Sequence, residues 1–359
     1  MTRALRIYAG PRARELLRNG GLRPEQVAAI TAAAGGPKGL ILLRMDEFLF
    51  GHWLPQAQRP LQLVGASIGA WRMATACLAD PVSAFQRLAH DYIHQDFQAP
   101  PGRKRPSAQQ VSTAFAHSLD LFYGGRVHEV LEHPRWHLHV VVSQGQDGLR
   151  REHPWLTPLG YAAAWVANAV DRRYLGSWLQ RGVFSVRPEQ GLPMWPDTMP
   201  TQQWPLDASN FMSAVRASCS IPFAMQAVHD IPGAPKGAYW DGGITDYHLH
   251  WAFKTQLDEV TLYPHFQRAV VPGWLDKAWK ARHLATPALD NMVVLAPDPD
   301  WVKRLPNGKL PDRHDFVHYA QNFKGRVAAW SQAVEASQQL VDEWQEWLAQ
   351  PSADRVEPL

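Results

Sequence analysis

The chain has 359 residues, of which 46% are hydrophobic and 19% charged, and its formal net charge is +3. This length is enough for one large domain with a buried core. The near-neutral charge argues against a nucleic-acid partner, since the densest basic run, at 103–105, stands in a proline-rich stretch. Two cysteines exclude a disulfide framework, and residues 1–21 lack the apolar core of a signal peptide, so we expect a cytoplasmic protein.

The first predicted elements are a short helix and a strand–loop–helix unit. Pro11 to Asn19 is amphipathic and ends at two glycines, which predicts a helix. Residues 27–34 are apolar and predict a buried strand, and residues 40–50 predict a helix. Between them lies the loop Gly35-Gly36-Pro37-Lys38-Gly39. Such a loop presents backbone N–H groups at a helix start, where they can bind an anion.

The next unit places a serine between two glycines. Gly65-Ala66-Ser67-Ile68-Gly69 follows the apolar run 61–64 and precedes a predicted helix at 70–79. Strand, sharp turn and helix are the context of a nucleophile elbow, in which the serine hydroxyl is held above the sheet edge. The glycines are required because a Cβ at either position would clash with a neighbouring element. A tight turn with a capping serine is the alternative interpretation.

The elements that follow are predicted mainly from hydrophobic periodicity. We expect mostly helix over 80–134, a core strand at Trp136 to Ser143, and an irregular, proline-rich loop at Arg187 to Pro205. Tyr161 to Leu179 predicts a helix with one broad apolar face. The uncharged stretch 154–170 overlaps the start of this helix. It contains two prolines and an asparagine, so no transmembrane span is predicted. Met292 to Ala296 predicts a further strand, and Phe316 to Ala349 a largely helical end.

Two later motifs complete a recognisable order. Arg216-Ala217-Ser218 precedes Ile221-Pro222, and Asp241-Gly242-Gly243 ends a short apolar stretch. With the glycine loop and the Gly-x-Ser-x-Gly turn, these motifs resemble the patatin-like phospholipase family over about residues 25–250. The resemblance implies an α/β fold, a three-layer α/β/α sandwich with helical insertions. It further implies one domain over 1–359, closed by C-terminal helices at about 315–349.

The resemblance also implies a catalytic chemistry. It makes Ser67 the nucleophile and Asp241 its base, without a histidine between them, in a lipid acyl hydrolase of the phospholipase, lysophospholipase or carboxylesterase type. No metal and no cofactor is expected, and the implied partner is a lipid ester. The oxyanion hole then comprises the loop residues Gly35, Gly36, Lys38 and Gly39. The loop departs from the family pattern because Pro37 has no N–H to donate and alanines stand at 33 and 34.

Three alternatives stay open. The first is a Ser-His-Asp triad, since several of the 16 histidines follow Asp241. These are His248, His250, His265, His283, His314 and His318. The second is a lipid-binding or interaction module with a patatin-like fold, and the third is an acyltransferase that uses the same serine and aspartate.

One segment predicts contact with a membrane surface. If residues 272–283 are helical, Trp274, Leu275 and Trp279 share a face, while Lys277 and Lys280 lie off it. A basic helix with aromatic anchors is typical of peripheral membrane helices. The alternative is a surface helix that packs on the domain.

Overall fold

The computed structural model describes residues 3–97 and 106–359, so the basic run at 103–105 lies outside the described residues. The described residues form one sheet of eleven strands. The strands are β1 (Leu5–Ala9), β2 (Val27–Ala32), β3 (Leu61–Ala66), β4 (Trp136–Gly145), β5 (Leu179–Ser185), β6 (Thr201–Pro205), β7 (Val228–His229), β8 (Ala238–Asp241), β9 (Val260–Pro264), β10 (Met292–Pro297) and β11 (Val356–Pro358).

Twelve α-helices lie in the described part of the chain. They are α1 (Pro11–Arg18), α2 (Leu43–Phe48), α3 (Ile68–Ala76), α4 (Pro81–Ile93), α5 (Ala108–Tyr123), α6 (Val127–Leu131), α7 (Leu156–Val170), α8 (Phe211–Ser218), α9 (Pro299–Val302), α10 (Asp315–His318), α11 (Phe323–Ala336) and α12 (Gln338–Ala349). No helix of the described residues is long and apolar enough to cross a membrane.

The sheet has a parallel centre with antiparallel neighbours. Its main path runs β11-β1-β10-β9-β2-β3-β4-β5-β6. Strands β10, β9, β2, β3 and β4 are parallel, whereas β1 and β5 run antiparallel to β10 and β4. All residues of β2 and β4 are buried, which is the pattern of strands covered on both faces. The expected α/β class, a sheet layered between helices, is confirmed.

The local predictions are mostly confirmed where hydrophobic periodicity was strong. The structure has a helix at Pro11–Arg18, core strands at Trp136–Gly145 and Met292–Pro297, and two long helices within 323–349. The predicted helix at 40–50 is instead a 3₁₀ helix at Gly36–Leu42 followed by α2. The glycine loop therefore forms the first turn of this 3₁₀ helix.

Two longer predictions were wrong in extent. The helix expected over Tyr161 to Leu179 begins earlier, at Leu156, and ends at Val170, after which residues 172–177 form a 3₁₀ helix. The loop expected over 187–205 ends in strand β6, whose last residue is Pro205. This strand pairs only with β5 on the sheet path, and an edge strand tolerates proline because one row of its N–H groups has no partner strand.

Candidate active site

Ser67 stands at a sharp turn between β3 and α3. Its backbone has φ 57° and ψ −128°, a conformation that a residue with a side chain rarely adopts. A Cβ at Gly65 would stand 2.4 Å from the carbonyl oxygen of Gly69, and a Cβ at Gly69 would stand 1.9 Å from that of Ala32. Both glycines are therefore required by close backbone approach, as the nucleophile-elbow hypothesis predicts.

The structure brings Ser67 and Asp241 together. Ser67 Oγ donates a hydrogen bond to Asp241 Oδ2 at 2.7 Å, and the two residues are 4% and 5% exposed. Strand β4 sets this distance. Its residue Val141 pairs with Ala66 at the end of β3, and its next residue, Val142, pairs with Asp241 at the end of β8. The two side chains meet because β8 continues the sheet where β3 stops.

Ser218 links the Ser67 turn to β4 through two hydrogen bonds, a role that its motif alone does not predict. Its hydroxyl accepts a hydrogen bond from the Ser67 backbone N–H at 2.9 Å and donates one to the Val141 carbonyl at 2.6 Å. The Ser218 carbonyl accepts from the N–H of Gly242, beside Asp241. The Arg-Ala-Ser motif had pointed to this residue, but only the fold shows what its hydroxyl contacts.

The Asp241 carboxylate is held at both oxygens. Oδ2 accepts from Ser67, and Oδ1 accepts from the backbone N–H of Gly243 at 2.7 Å. Burial raises the pKa of Asp241 above that of an ordinary aspartate, although Arg313, the Ser67 hydroxyl and the Gly243 N–H act in the opposite direction. A raised pKa makes this carboxylate a stronger base for removing the proton of a hydroxyl group.

The glycine loop lies beside this pair. Gly35 and Lys38 line the same cavity as Asp241, and Gly36 has φ +56°, which suits a residue without a Cβ. Gly39 packs against the first residue of α3, since a Cβ there would stand 3.1 Å from the side chain of Ile68. The loop thus borders the turn that carries Ser67.

A cavity of about 250 Å³ opens next to Asp241. Ile221, Pro222 and Trp274 form an apolar part of its wall, and Lys277 and Arg313 add charge. Phe223, directly after this wall, has φ 69° and is 62% exposed. A bulky residue with positive φ is rare, and such strain is concentrated at functional sites.

None of the six candidate histidines bonds to the Ser67–Asp241 pair. In the described part of the chain, no imidazole forms a hydrogen bond with Ser67 or Asp241. His248 and His265 are buried against each other, with ring centres 4.3 Å apart, and His250 and His283 bond to Thr286 and to the Asp276 carbonyl. His314 lines the cavity, and His318 packs on Tyr319. Among the described residues, no group of three or more His, Cys, Asp or Glu side chains could hold a metal ion.

Residues 272–283, the tryptophan segment, do not form the single helix expected from the spacing of their apolar residues. Trp274–Ala278 and Lys280–His283 are two short 3₁₀ helices separated by Trp279. Trp274 is half-buried and lines the cavity, and the ring of Trp279 packs against that of Trp165 on α7 at 5.9 Å. The amphipathic face predicted for this segment is therefore absent.

The exposed apolar surface lies instead on α7. The apolar side chains on the outward side of α7, together with that of the preceding Trp155, are 44–77% exposed. The polar residues Thr157 and Asn168 of α7 are buried. Asn168 donates to Asp276 at 2.9 Å on the inner side. The apolar residues predicted to share one face are divided in the structure, because Tyr161 is buried whereas Trp165, Val166 and Val170 point outward. With the preceding Trp155, the exposed apolar residues are Leu156, Leu159, Trp165, Val166 and Val170.

Comparison with solved structures adds a distant similarity. No protein-family model matches this sequence, and no curated protein matches it. Among solved structures, the chain is similar to VipD from Legionella pneumophila, with 12% sequence identity and a TM-score of 0.36. The similarity covers 89% of this chain and 67% of the VipD chain. So distant a likeness carries no conclusion about chemistry, which has to rest on the geometry of the site.

Proposed function

We propose that this protein is a serine hydrolase that cleaves carboxylic ester bonds of lipids through an acyl-enzyme on Ser67, with Asp241 as the base. The observation that carries the proposal is the 2.7 Å hydrogen bond from Ser67 Oγ, on a strained backbone, to Oδ2 of Asp241, which lines a cavity. A hydroxyl becomes a competent nucleophile when an adjacent base can take its proton.

The first half-reaction follows from this contact. As Ser67 Oγ attacks the ester carbonyl carbon, its proton passes to Asp241 Oδ2, and a tetrahedral intermediate forms. When the intermediate collapses, the carbonyl carbon–alkoxy oxygen bond breaks, and the leaving alcohol takes the proton from Asp241. Water then attacks the acyl-enzyme with Asp241 again as base, which releases the fatty acid and restores Ser67.

The negative charge of the tetrahedral intermediate requires nearby donors. We assign this role to backbone N–H groups of the loop residues Gly35, Gly36, Lys38 and Gly39. The assignment is supported by Gly35 and Lys38, which line the cavity beside Asp241, and by Gly39, which packs against Ile68. Pro37 has no N–H and contributes only its fixed φ. Fixed donors of this kind stabilise an oxyanion without reorganising during the reaction.

The apolar face of α7 supports a lipid as the substrate. This face adjoins the site, since Tyr161 on the inner side of α7 packs edge-on against Trp240, the residue before Asp241. Phe223, which follows the cavity-lining residue Pro222, packs on the same Tyr161 ring. An uncharged helix with exposed tryptophans, preceded by Arg150 and Arg151, suits the boundary between lipid headgroups and acyl chains. We propose that a cytoplasmic enzyme makes peripheral contact with a membrane through this face.

A fluorophosphonate probe tests the activated serine without knowledge of the natural ester. We expect the wild-type protein to be labelled at Ser67, and Ser67→Ala and Asp241→Asn to lose labelling. Ser209→Ala is a matched control, because Ser209 donates to Asp207 at 2.5 Å in an exposed turn away from the cavity. Labelling that survives in Ser67→Ala would contradict the proposal and favour a lipid-binding module. If labelling occurs but added alcohols trap the acyl group in preference to water, the protein is an acyltransferase.

A further inference from the structure

Three cationic side chains converge on the cavity beside Asp241. Lys38 comes from the glycine loop, Lys277 from the tryptophan segment and Arg313 from the stretch before α10, and all three line the cavity. Arg313 lies over the loop, because its Nε is 3.2 Å from the place that a Cβ of Gly36 would occupy. Of the three, only Lys38 belongs to one of the catalytic motifs, and Lys277 lies in the segment at 272–283 that was predicted to contact a membrane.

These cations have no anionic partner within the described residues. Their side chains form no ion pair and no hydrogen bond there; the ammonium groups of Lys38 and Lys277 lie over the rings of Phe266 and Tyr247, at 5.2 and 3.9 Å from the centres. The two acids that line the cavity are already engaged. Asp241 accepts from Ser67 and Gly243, and Asp312 binds Lys309 at 2.8 Å.

The cations also repel one another. Desolvation, together with the charges of Arg313 and Lys38, lowers the pKa of Lys277 to about 7, while Asp241 acts in the opposite direction. Burial likewise lowers the pKa of Lys38; Asp312 acts in the opposite direction, and Lys309 and Arg313 are smaller causes that lower it. An anion placed between these groups would relieve their repulsion and supply the partner that each of them lacks.

We propose that Lys277 and Arg313, together with Lys38, form an anion-binding subsite next to Ser67, so that the natural ester carries a phosphate or carboxylate group close to the scissile bond. This inference rests on the proposed function for its substrate, but the subsite itself can be tested without catalysis. The alternative role of Arg313 is contact with the oxyanion of the tetrahedral intermediate. The two roles differ because a subsite affects only anionic esters, whereas an oxyanion contact affects every ester.

Binding of inorganic phosphate to the Ser67→Ala protein tests the subsite directly. We expect phosphate to raise its melting temperature relative to sodium chloride of equal ionic strength. The rise should disappear in Ser67→Ala combined with Lys277→Gln or Arg313→Gln, and persist with the control Lys280→Gln, an exposed lysine in the same segment. An equal rise in all these proteins would overturn the subsite. Its loss only in the Lys277 and Arg313 variants would support the subsite even if no ester were hydrolysed.

Steady-state kinetics with matched soluble esters test its role in catalysis. The set comprises 4-nitrophenyl butyrate, which is neutral, the mono-4-nitrophenyl ester of glutaric acid, with its charge on the acyl side, and a butyrate ester of a carboxylated nitrophenol, with its charge on the alcohol side. We expect Lys277→Gln and Arg313→Gln each to raise KM about tenfold for one of the charged esters, the effect of one lost charge-assisted hydrogen bond. The ratio of kcat/KM for that charged ester to kcat/KM for the neutral ester, each measured at the variant's pH optimum, should therefore fall about tenfold, whereas Lys280→Gln should leave this ratio unchanged. A matching fall of kcat on all three esters would instead assign Arg313 to the oxyanion and overturn the subsite.

The pH dependence gives a further readout. Lys277 faces Arg313, Lys38, Asp241 and the Tyr247 ring, with Asp312 and His314 on the same cavity wall. Lys277 carries its charge below its pKa and loses it above, so the preference for the charged ester should fall as the pH rises through about 7. Lys277→Arg should keep the preference at higher pH, since a guanidinium stays protonated. A preference that declines equally in Lys277→Arg would overturn the assignment to Lys277.

Discussion

The hydroxyl of Ser218 accepts a hydrogen bond from the backbone N–H of Ser67 at 2.9 Å. The same hydroxyl donates to the Val141 carbonyl at 2.6 Å, so one side chain joins the strained turn to β4. Because β4 also aligns Asp241 through Val142, Ser218 helps to fix the distance between the two proposed catalytic groups. This is a positioning role, exerted through the Ser67 backbone.

Replacement of Ser218 by alanine tests this role. The Ser67 N–H and the Val141 carbonyl would lose a buried partner, which costs about 1–3 kcal/mol of unfolding free energy. We expect kcat on a short nitrophenyl ester to fall about tenfold with little change in KM. Ser220→Ala is the matched control, since its hydroxyl donates only to the Arg216 carbonyl at 2.9 Å. Equal kcat in the two variants would show that the Ser218 hydroxyl supports only the fold.

Paired substitutions test the proposed catalytic pair against a triad. Ser67→Ala and Asp241→Asn should each abolish esterase activity to a similar degree, because groups that act as one unit are not additive. Alanine at His248, His250, His265, His283, His314 or His318 should leave most of the activity in every variant that folds, as judged by circular dichroism. A single folded histidine variant as inactive as Ser67→Ala would establish the triad.

The elbow geometry predicts a steep loss of stability. In Gly69→Ala the new Cβ would stand 1.9 Å from the Ala32 carbonyl oxygen, so β2 or α3 has to move. We expect the unfolding free energy to fall by about 3 kcal/mol or more, measured by denaturant titration. In Gly148→Ala the nearest atom is 3.9 Å away, in the Trp178 ring, and stability should hardly change. Similar stabilities for the two variants would mean that the turn is not as closely packed as the structure shows.

The raised pKa of Asp241 predicts the acid side of the pH profile. The base works as a carboxylate, so kcat/KM should fall as the pH drops through that pKa, which lies above the value of about 4 for an ordinary aspartate. Arg313 lowers this pKa, so Arg313→Gln should move the acid limb to higher pH. The profiles are measured with the neutral ester, and Lys280→Gln serves as the control. An acid limb that does not move in Arg313→Gln would show that the charge of Arg313 does not affect the pKa of the catalytic base.

The outward face of α7 predicts a selective effect on aggregated substrate. Leu159→Asn with Val166→Asn should weaken sedimentation with liposomes and reduce hydrolysis of vesicle lipid, because apolar area is lost from the contact. Hydrolysis of a soluble ester should not change, since neither side chain lines the cavity. Leu257→Asn is the control, a leucine that is 85% exposed away from α7. Equal losses on vesicles and on the soluble ester would place these residues in the fold rather than in a lipid contact.

Much of the site could be predicted because its signals are local. Glycine is needed at 65 because of backbone contacts with Gly69 and Ala70 in the same strand–turn–helix unit, and at 69 because the Ala32 carbonyl of β2 approaches closely. The resulting pattern is visible in five consecutive residues. The order of the glycine loop, the serine turn and Asp-Gly-Gly predicted which residues would meet. Alternation that leads into the apolar run 140–142 predicted a core strand at Trp136 to Ser143, and the apolar run 292–296 predicted another, because strands buried on both faces favour apolar residues.

Only the tertiary structure decided how distant segments meet. The pairing of Ala66 and Asp241 with consecutive residues of β4 is a property of sheet register, which the sequence of β8 does not specify. Lys277 and Arg313 reach the cavity from segments without a motif. Periodicity showed that α7 has an apolar face, but not which side of the helix the rest of the chain would cover, since that depends on where the partners of Asn168 lie. Local steric requirements can be predicted from neighbouring residues, whereas which face of a helix is buried depends on how the whole chain folds.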